Sequence, residues 1–355
     1  MTISTNIADR MLIDAATLKD WVIRVFVANS VPYDQADIIA DCLVRADMKG
    51  VASHGVSRIP IYLKRLGLGL VRADARPKII RETDSTGVVD AGDGFGHPAA
   101  MFGLRFAIER ARRTGAGVAG IINSTHFGMA AHYGEIASSE DCVALVSTNS
   151  SPRMAPWGAR DALFGTNPLA ISVPGPTGPL VLDMATSAAA LGRIVMAAAA
   201  GQAIPPGWAL DREGRPTTDA ATALGGTVVP MAGPKGSGLA FMLDVLCGAL
   251  TGGEFGLSVR SLYRDMDVPE QCAHFMIVIN VAAFIPVEQF RAAMTRYVSD
   301  FKACRPAEGI ETVYLPGEIE QMRLHRALAE GVPIELSTLQ ALQEIATATG
   351  IALPS

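Results

Sequence analysis

Residues 106–122 have the sequence FAIERARRTGAGVAGII, and this stretch bears most directly on the fold of the chain. Its glycines, from Gly115 to Gly120, match the dinucleotide pattern G-x-G-x-x-G letter for letter. That fingerprint requires a strand before the glycines and a helix after them, so that the cofactor pyrophosphate meets the N-terminus of the helix. Here a basic helical stretch comes first and an apolar strand-like stretch follows. This order favours a helix C-cap and turn, and it argues against an ordinary Rossmann domain.

The sequence around this stretch alternates between two patterns from about residue 75 to residue 302. Short apolar and β-branched runs predict strands at 87–91, 117–122, 142–148, 169–173, 180–182 and 275–279. Apolar residues at helical spacing predict helices at 98–113, 129–138, 187–200, 238–250 and 287–302. Such alternation is typical of an α/β protein with one main sheet.

Both ends of the chain have helical patterns instead. In the first seventy residues, Asp14 and Asp34 are placed to cap two helices, and Pro60 is placed to open a third. The last fifty residues return to helix. No linker rich in Pro, Gly and Ser separates two halves of the chain, so we expect the domains to be interleaved.

The composition argues against several classes of protein. The chain has 355 residues, of which 49% are hydrophobic and 18% charged, and this balance argues against disorder. A net charge of −5 argues against a nucleic-acid partner, and no window approaches the roughly 18 apolar residues of a membrane span. The N-terminal sequence lacks the pattern of a signal peptide, and the five scattered cysteines suit a reducing compartment. We therefore expect a cytoplasmic protein with no membrane partner.

His54 is the histidine best placed for chemistry. It lies in the turn between two helices, beside Ser53 and four residues before Arg58. A histidine with a pKa near 6.5 is a ready proton donor at neutral pH, and an arginine fork suits a carboxylate. Proton donor and carboxylate clamp together are what the reduction of a 2-oxo acid needs. The alternative is a capped turn with a surface arginine.

Two other segments are candidates for ligand contacts. Residues 232–238, AGPKGSG, precede a helix, so that Lys235 and the backbone N–H groups can form an anion site, or the glycines can serve close packing alone. His126 follows the predicted strand 117–122, at the end where α/β sheets bind ligands. His126 and His132 do not form an HExxH pair, and no third ligand is apparent, so we expect no metal site.

A series of motifs in one order resembles the malate/L-lactate dehydrogenase family, which is unrelated to the Rossmann lactate dehydrogenases. The resemblance covers nearly the whole chain. Its motifs lie at Arg45–Gly50, Ser53–Gly55, Arg58–Tyr62, Ser124–Gly128, Phe164–Pro168, Leu182–Ser187, Ile204–Ala209, Gly214–Asp219, Gly233–Gly236 and Leu315–Glu318. The family includes ureidoglycolate and sulfolactate dehydrogenases, diketogulonate reductase, and reductases of cyclic imino acids such as piperideine-2-carboxylate.

The resemblance implies an α/β, non-Rossmann nicotinamide-binding fold with a central sheet that is mainly antiparallel or mixed. It also implies a helical domain on the substrate side, built from both termini (residues 1–74 joined by 306–355), and a cofactor domain over residues 75–305. The expected partners are a small carboxylate substrate and a second copy of the chain in a homodimer. The expected cofactor is NAD or NADP, with NAD favoured.

Site residues are also implied by the resemblance. Ser53 and His54 serve proton transfer, Arg58 and Thr166 hold the substrate carboxylate, and His126 is catalytic or contacts the cofactor in some members. The predicted cofactor contacts are Thr125, His126, Phe127, Gly128, Met129, Asn149, Asp183, Met184, Ala185, Pro234, Lys235, Gly236, Leu315, Pro316, Gly317 and Glu318.

The expected activity is hydride transfer between nicotinamide and a small 2-hydroxy or 2-oxo acid such as malate, lactate, ureidoglycolate or sulfolactate, with His54 exchanging the proton. Arg193, counted with the catalytic residues, stands where many such enzymes have lysine and some cyclic-imine reductases have aspartate. A cation there suits an anionic hydroxy acid better than a cationic iminium. The alternatives are a reductase of cyclic imino acids and a nucleotide-binding regulatory protein without turnover.

Overall fold

In the computed structural model, which describes residues 10–354, N-terminal and C-terminal segments pack together. Strand β1 (Arg10–Ile13) pairs antiparallel with β12 (Val332–Glu335). Five helices belong to this part: α1 (Ala15–Ala28), α2 (Tyr33–Met48), α3 (Ile59–Gly67), α10 (Glu318–Glu330) and α11 (Leu336–Thr349). They share one buried apolar cluster that includes Trp21, Phe26, Ile39, Leu43, Ile59, Leu324 and Leu342. N- and C-terminal segments thus form a single core.

The two predicted helix caps have different outcomes. The Asp14 carboxylate accepts the N–H of Thr17 at 2.8 Å, so the cap of α1 is confirmed. The cap predicted at Asp34 is wrong, because α2 begins after Pro32 and has no side-chain cap. Asp34 lies inside the first turn, where the helix dipole favours a carboxylate, and it pairs with Arg76.

A seven-stranded sheet forms the centre of the molecule, in the order β2-β3-β4-β11-β5-β6-β7. Its strands are β2 (Lys78–Glu82), β3 (Thr86–Asp90), β4 (Ala116–Ser124), β5 (Cys142–Thr148), β6 (Leu169–Val173), β7 (Leu180–Met184) and β11 (Cys272–Asn280). Only the β3–β4 pair is parallel, and all other neighbours are antiparallel. The prediction of a mixed, mainly antiparallel sheet is confirmed.

Helices α4 (Gly96–Thr114) and α5 (Ala130–Ser139) cover this sheet. The interface buries Leu104, Ile121, Phe127, Tyr133, Val146 and Met276. Helix α4 ends in Gly115, whose φ of +92° few residues other than glycine adopt, and β4 starts at the next residue. The glycine pattern is therefore a helix cap followed by a strand, as predicted.

A smaller unit follows β7 along the chain. It contains α6 (Leu191–Ala199), β8 (Ala209–Leu210), β9 (Pro216–Thr217), α7 (Ala220–Leu224), β10 (Thr227–Val228) and α8 (Pro234–Asp244), which continues as a π-helical turn over Val245–Ala249. Ile194, Ala209 and Ala240 are among its buried residues, and Met154 and Phe164, from the segment before β6, pack in the same cluster. Helix α9 (Val287–Lys302) follows β11. Among residues 10–354, no helix combines the length and the apolar character needed to cross a membrane.

Candidate functional site

The turn between α2 and α3 consists of two single 3-10 turns, Ala52–His54 and Val56–Arg58. A buried carboxylate anchors it: Oδ2 of Asp47, in the last turn of α2, accepts the N–H of Val56 at 2.7 Å. A Cβ at Gly55 would lie 2.1 Å from Oδ1 of Asp47, so only glycine fits there. Burial raises the pKa of Asp47 to about 8. Sequence and packing together fix the backbone that carries His54 and Arg58.

His54 lies half-buried in this turn, with Nδ1 at 2.9 Å from the hydroxyl of Ser53. Desolvation lowers the pKa of His54 to about 4, and the positive charge of Arg58 adds to the effect. The ordinary value near 6.5, assumed from the sequence, therefore does not apply. In the ligand-free protein at pH 7 the His54 ring is a neutral base.

His126 stacks on His54, with ring centroids 5.3 Å apart and planes inclined by 27°. Its Nδ1 lies 2.6 Å from the hydroxyl of Tyr62 and accepts the N–H of Gly128 at 3.3 Å. Because a backbone N–H can only donate, the neutral His126 ring carries its proton on Nε2. Desolvation and then the neighbouring His54 lower the pKa of His126 well below the ordinary value. With both pKa values lowered, neither ring of the stacked pair is protonated near neutral pH.

Arg58 uses only part of its hydrogen-bonding capacity. Its Nε donates to the carbonyl of Ser53 and one terminal nitrogen donates to the hydroxyl of Tyr263. A guanidinium has five N–H donors, so three remain for a ligand. Thr166, half-buried, uses its carbonyl to accept the N–H and the hydroxyl of Thr186, each at 2.8 Å. No hydrogen bond of the described residues joins Thr166 to Arg58.

Three of the predicted cofactor segments meet beside β7. The Asp183 carboxylate accepts the N–H of Ala131 at 2.9 Å, which joins residues 183–185 to the start of α5, directly after residues 125–129. The N–H of Val181 donates to the carbonyl of Pro316 at 3.2 Å, which joins β7 to residues 315–318. Glu318 accepts the N–H of Leu315 at 2.7 Å and closes that turn.

The fourth segment, Pro234–Gly236, is the first turn of α8 and connects to the others through Thr186. The N–H of Met231 donates to the carbonyl of Thr186 at 2.9 Å, and a Cβ at Gly236 would lie 2.0 Å from the carbonyl oxygen of Met231. Lys235 is exposed at this helix start. Both readings of this segment, close packing and an anion site, are compatible with that arrangement.

Two predicted site residues have surroundings that the sequence did not indicate. Asn149 is buried, and its side chain makes two hydrogen bonds to the backbone. Its Nδ2 donates to the carbonyl of Glu254 and its Oδ1 accepts the N–H of Ala273, each at 2.8 Å. Arg193 is exposed on α6 and has no side-chain hydrogen bond or ion pair within residues 10–354. The structure therefore does not bring Arg193 into contact with the two histidines.

Sequence reasoning assigned no role to four residues that shape the site. Tyr62 lies four residues after Arg58. This helical spacing could have predicted that the two side chains lie on the same face of α3. Asp47 anchors the turn, Glu270 accepts the backbone N–H of His126 at 3.0 Å, and Tyr263 contacts Arg58. Glu270 and Tyr263 come from a distant segment, so no local pattern points to them.

The donor set of these segments fits a nicotinamide dinucleotide. Phosphates need N–H and cationic donors, which Lys235 and the first turn of α8 supply. Ribose hydroxyls need acceptors, and the carboxylates of Asp183 and Glu318 lie in the converging segments. Within residues 10–354, no cluster of three or more His, Cys, Asp or Glu side chains is arranged to hold a metal ion.

Comparison with known proteins agrees with this arrangement. The sequence model described as malate/L-lactate dehydrogenase matches residues 13–343. The chain belongs to the malate/L-lactate dehydrogenase family. An L-sulfolactate dehydrogenase of Methanothermobacter thermautotrophicus is 38% identical over 325 residues, which cover 91% of this chain and 93% of that protein. The solved sulfolactate dehydrogenase of Methanocaldococcus jannaschii superposes with a TM-score of 0.90 at 35% identity, covering 96% of this chain and 98% of that one. The predicted family, fold class and dehydrogenase type are confirmed.

Family members differ in the cofactor that their names state. Ureidoglycolate dehydrogenase (NAD+) of Escherichia coli K12 is 33% identical over 327 residues, 91% of this chain and 93% of that protein. A (2R)-3-sulfolactate dehydrogenase (NADP+) of Chromohalobacter salexigens is 40% identical over 258 residues, 72% of this chain and 77% of that protein. A nicotinamide cofactor is therefore supported for this family member, without a choice between the two forms.

Proposed function

We propose that this protein is an NAD(P)-dependent dehydrogenase of small 2-hydroxy acids, acting in either direction. The observation that carries the proposal is the stacked pair of His54 and His126 beside the partly free guanidinium of Arg58. A proton-exchanging group and a carboxylate clamp are the two functions that interconversion of a hydroxy acid and an oxo acid requires from the protein.

The substrate carboxylate binds to the three free N–H donors of Arg58, and the hydroxyl of Thr166 supplies a further donor. Because Arg58 is already held by the Ser53 carbonyl, little ordering remains when the substrate binds. The nicotinamide, when bound, supplies or accepts the hydride at the substrate carbon.

His54 exchanges the substrate proton through Nε2, with Nδ1 held by Ser53. In the oxidation direction the hydroxyl proton passes to the neutral His54 ring while the hydrogen on the same carbon leaves as hydride with the C–H electron pair, and a carbonyl forms. The bound carboxylate offsets the charge of Arg58, one of the two causes that lower the pKa of His54, and so raises that pKa towards neutrality. The Nε2–H of His126 donates to the same oxygen and stabilises the charge that develops there.

Of the two cofactors we favour NAD. The carboxylate of Asp183 lies among the converging segments, where it would accept a ribose hydroxyl and repel a 2′-phosphate, whereas Glu318 is neutralised by its ion pair with Lys302. We also propose a homodimer, because Phe241, Met242, Leu250, Phe255 and Leu257 are all more than half exposed between α8 and the loop that follows it. Four of the five free cysteines are buried, which supports the proposed cytoplasmic location.

The test is a nicotinamide absorbance assay with NADH and NADPH in turn. The substrates are pyruvate, oxaloacetate, sulfopyruvate and a cyclic imino acid, with ureidoglycolate and sulfolactate in the reverse direction. We expect turnover with at least one open-chain acid and a preference for NADH. Turnover with the cyclic imine alone would instead identify a cyclic-imine reductase. Cofactor binding without turnover on any of them would contradict the proposal and favour a nucleotide-binding regulatory role.

A further inference from the structure

The long segment between α8 and β11 contributes one side chain to the carboxylate clamp. Tyr263 is 51% exposed, yet its hydroxyl accepts a hydrogen bond from Arg58. The guanidinium carbon of Arg58 also lies 5.4 Å from the centroid of the Tyr263 ring. Core packing does not explain a half-exposed tyrosine that is bound in this way to a partly free arginine.

The backbone around Tyr263 is held rigidly. Arg65, which is fully buried, donates to the carbonyls of Asp265 at 2.7 Å and Val268 at 2.9 Å, and more weakly to Leu262 at 3.4 Å. A buried guanidinium that binds several carbonyls of one loop fixes the course of that loop.

A second set of bonds surrounds the same turn. The carboxylate of Asp265 accepts the N–H of Ser261 at 2.7 Å, and the hydroxyl of Ser261 accepts the N–H groups of Tyr263 and Arg264 at 3.3 and 3.2 Å. Tyr263 is therefore presented to Arg58 by a preorganised turn.

The Tyr263 O–H is a hydrogen-bond donor without a partner among the described residues. The Tyr263 oxygen accepts from Arg58, so its own O–H proton is still available. Within residues 10–354, the Tyr263 O–H donates to no acceptor. An anion at the free donors of Arg58 would offer that acceptor, and a hydrogen bond to a charged group is the strong kind.

We propose that Tyr263 is a substrate-binding residue that donates its O–H to the C1 carboxylate held by Arg58. This inference rests on the proposed function, because it takes Arg58 as the carboxylate site. Since the C1 carboxylate is common to all 2-oxo acids, Tyr263 contributes to affinity for the whole class and does not select among side chains. It takes no part in the transfer of the proton or the hydride.

The test compares Tyr263→Phe with wild type and with Tyr297→Phe, a matched control at an exposed tyrosine of α9. The probe is oxamate, an unreactive analogue of a 2-oxo acid, bound to the NADH-loaded protein and measured by calorimetry. We expect Tyr263→Phe to weaken oxamate binding by about tenfold or more. The KM for pyruvate and for oxaloacetate should rise by a similar factor, with kcat and NADH affinity nearly unchanged. Tyr297→Phe should match wild type in every value.

Two results would overturn the inference: oxamate affinity within about twofold of wild type, or a loss confined to oxaloacetate, which would place Tyr263 at the substrate side chain. Wild-type turnover together with an unchanged oxamate affinity in Tyr263→Phe would refute this inference alone. Oxamate binding that depends on Tyr263, with no wild-type turnover of any 2-oxo acid, would refute the proposed function and leave the binding role intact. Absence of both binding and turnover in wild type would refute both.

Discussion

Single residues set the proton chemistry of the site. The pattern Ser53-His54 followed by Arg58 was visible in the sequence, because all three residues lie in one turn. The pKa values were not, since both depend on burial by segments far along the chain, and that of His126 depends also on its neighbour His54. A histidine whose pKa is lowered to about 4 differs in kind from an exposed one, because it stays neutral over the whole physiological range.

This lowered pKa predicts an unusual pH profile for oxidation of the hydroxy acid. Here kcat/KM reports the free protein, in which His54 must be unprotonated to accept the proton. With a pKa of about 4, the His54 ring stays neutral down to mildly acid pH. It becomes protonated, and ceases to act as a base, only near and below pH 4. We expect kcat/KM to change less than about twofold between pH 8 and pH 5.5. Initial rates across this range provide the check, and an acid limb centred near pH 6.5 would contradict it.

The element that carries these residues is the turn between α2 and α3. Its shape depends on Asp47, on Gly55, and on the bond from Val56 to Asp47. The sequence marks the turn through Gly50 and Pro60, but it gives no sign that a buried carboxylate lies under Gly55. That contact is formed only when the turn folds back over the end of α2.

Gly55→Ala tests this arrangement. The added Cβ would lie 2.1 Å from Oδ1 of Asp47, so the turn must shift and displace His54 and Arg58 together. A displacement of about 1 Å in an active site costs on the order of 100-fold in rate, so we expect a loss of that size in kcat/KM. Gly67→Ala in α3 is the matched control, since nothing lies within 4 Å of its Cβ. Equal activity in the two variants would show that the Asp47–Gly55 contact does not position the site.

Other elements show where sequence patterns succeed and where they stop. Strands β5 and β6 and helix α9 have the bounds that the patterns predicted, because each is a continuous periodic run between clear breaks. Helix α8 begins at Pro234, four residues before its predicted start. The glycines of its first turn suggested a loop, but Gly236 is needed inside the helix because a Cβ would collide with the carbonyl of Met231.

At the scale of the whole molecule, long-range pairings decide what the sequence could not show. Strand β11 lies between β4 and β5, both of which come much earlier in the chain, and no local pattern encodes this order. The resemblance to a family predicted the mixed sheet. The pairing of β1 with β12 likewise joins segments that lie far apart in the sequence. The division into residues 1–74 with 306–355, and 75–305, remains our proposal for the domains.

Buried histidines make the stability of the whole protein depend on pH. Burial lowers the pKa of His97 and of His274 to about 3. Below pH 6.5 the unfolded chain binds protons that the native state does not, so the free energy of unfolding falls as pH falls. Each histidine contributes up to about 1.4 kcal/mol per pH unit. His54 and His132, with pKa values lowered to about 4, act in the same direction. Asp47 and Asp183, with pKa values raised to about 8 and about 6, act in the opposite direction because the native state holds the extra proton, but the four histidines outnumber these two carboxylates.

We therefore expect urea unfolding to give a lower free energy at pH 5 than at pH 7. His97→Phe should reduce the slope of the unfolding free energy against pH by the contribution of about one bound proton, because it removes one titrating group. The substitution breaks no hydrogen bond, since neither ring nitrogen of His97 has a partner in the described structure. His325→Phe, at an exposed position of α10, is the control. A free energy that rises on acidification, or an unchanged slope in His97→Phe, would show that other groups govern the pH dependence.

The most direct test of the account is the turnover number of His54→Asn, measured beside wild type and His325→Asn with the best 2-oxo acid and cofactor. NADH affinity and thermal unfolding, measured on the same samples, establish that each variant is folded and binds cofactor. We predict that kcat of His54→Asn falls by about two to four orders of magnitude while His325→Asn stays at the wild-type value. A folded, cofactor-binding His54→Asn with kcat within about tenfold of wild type would contradict the assignment of proton exchange to His54.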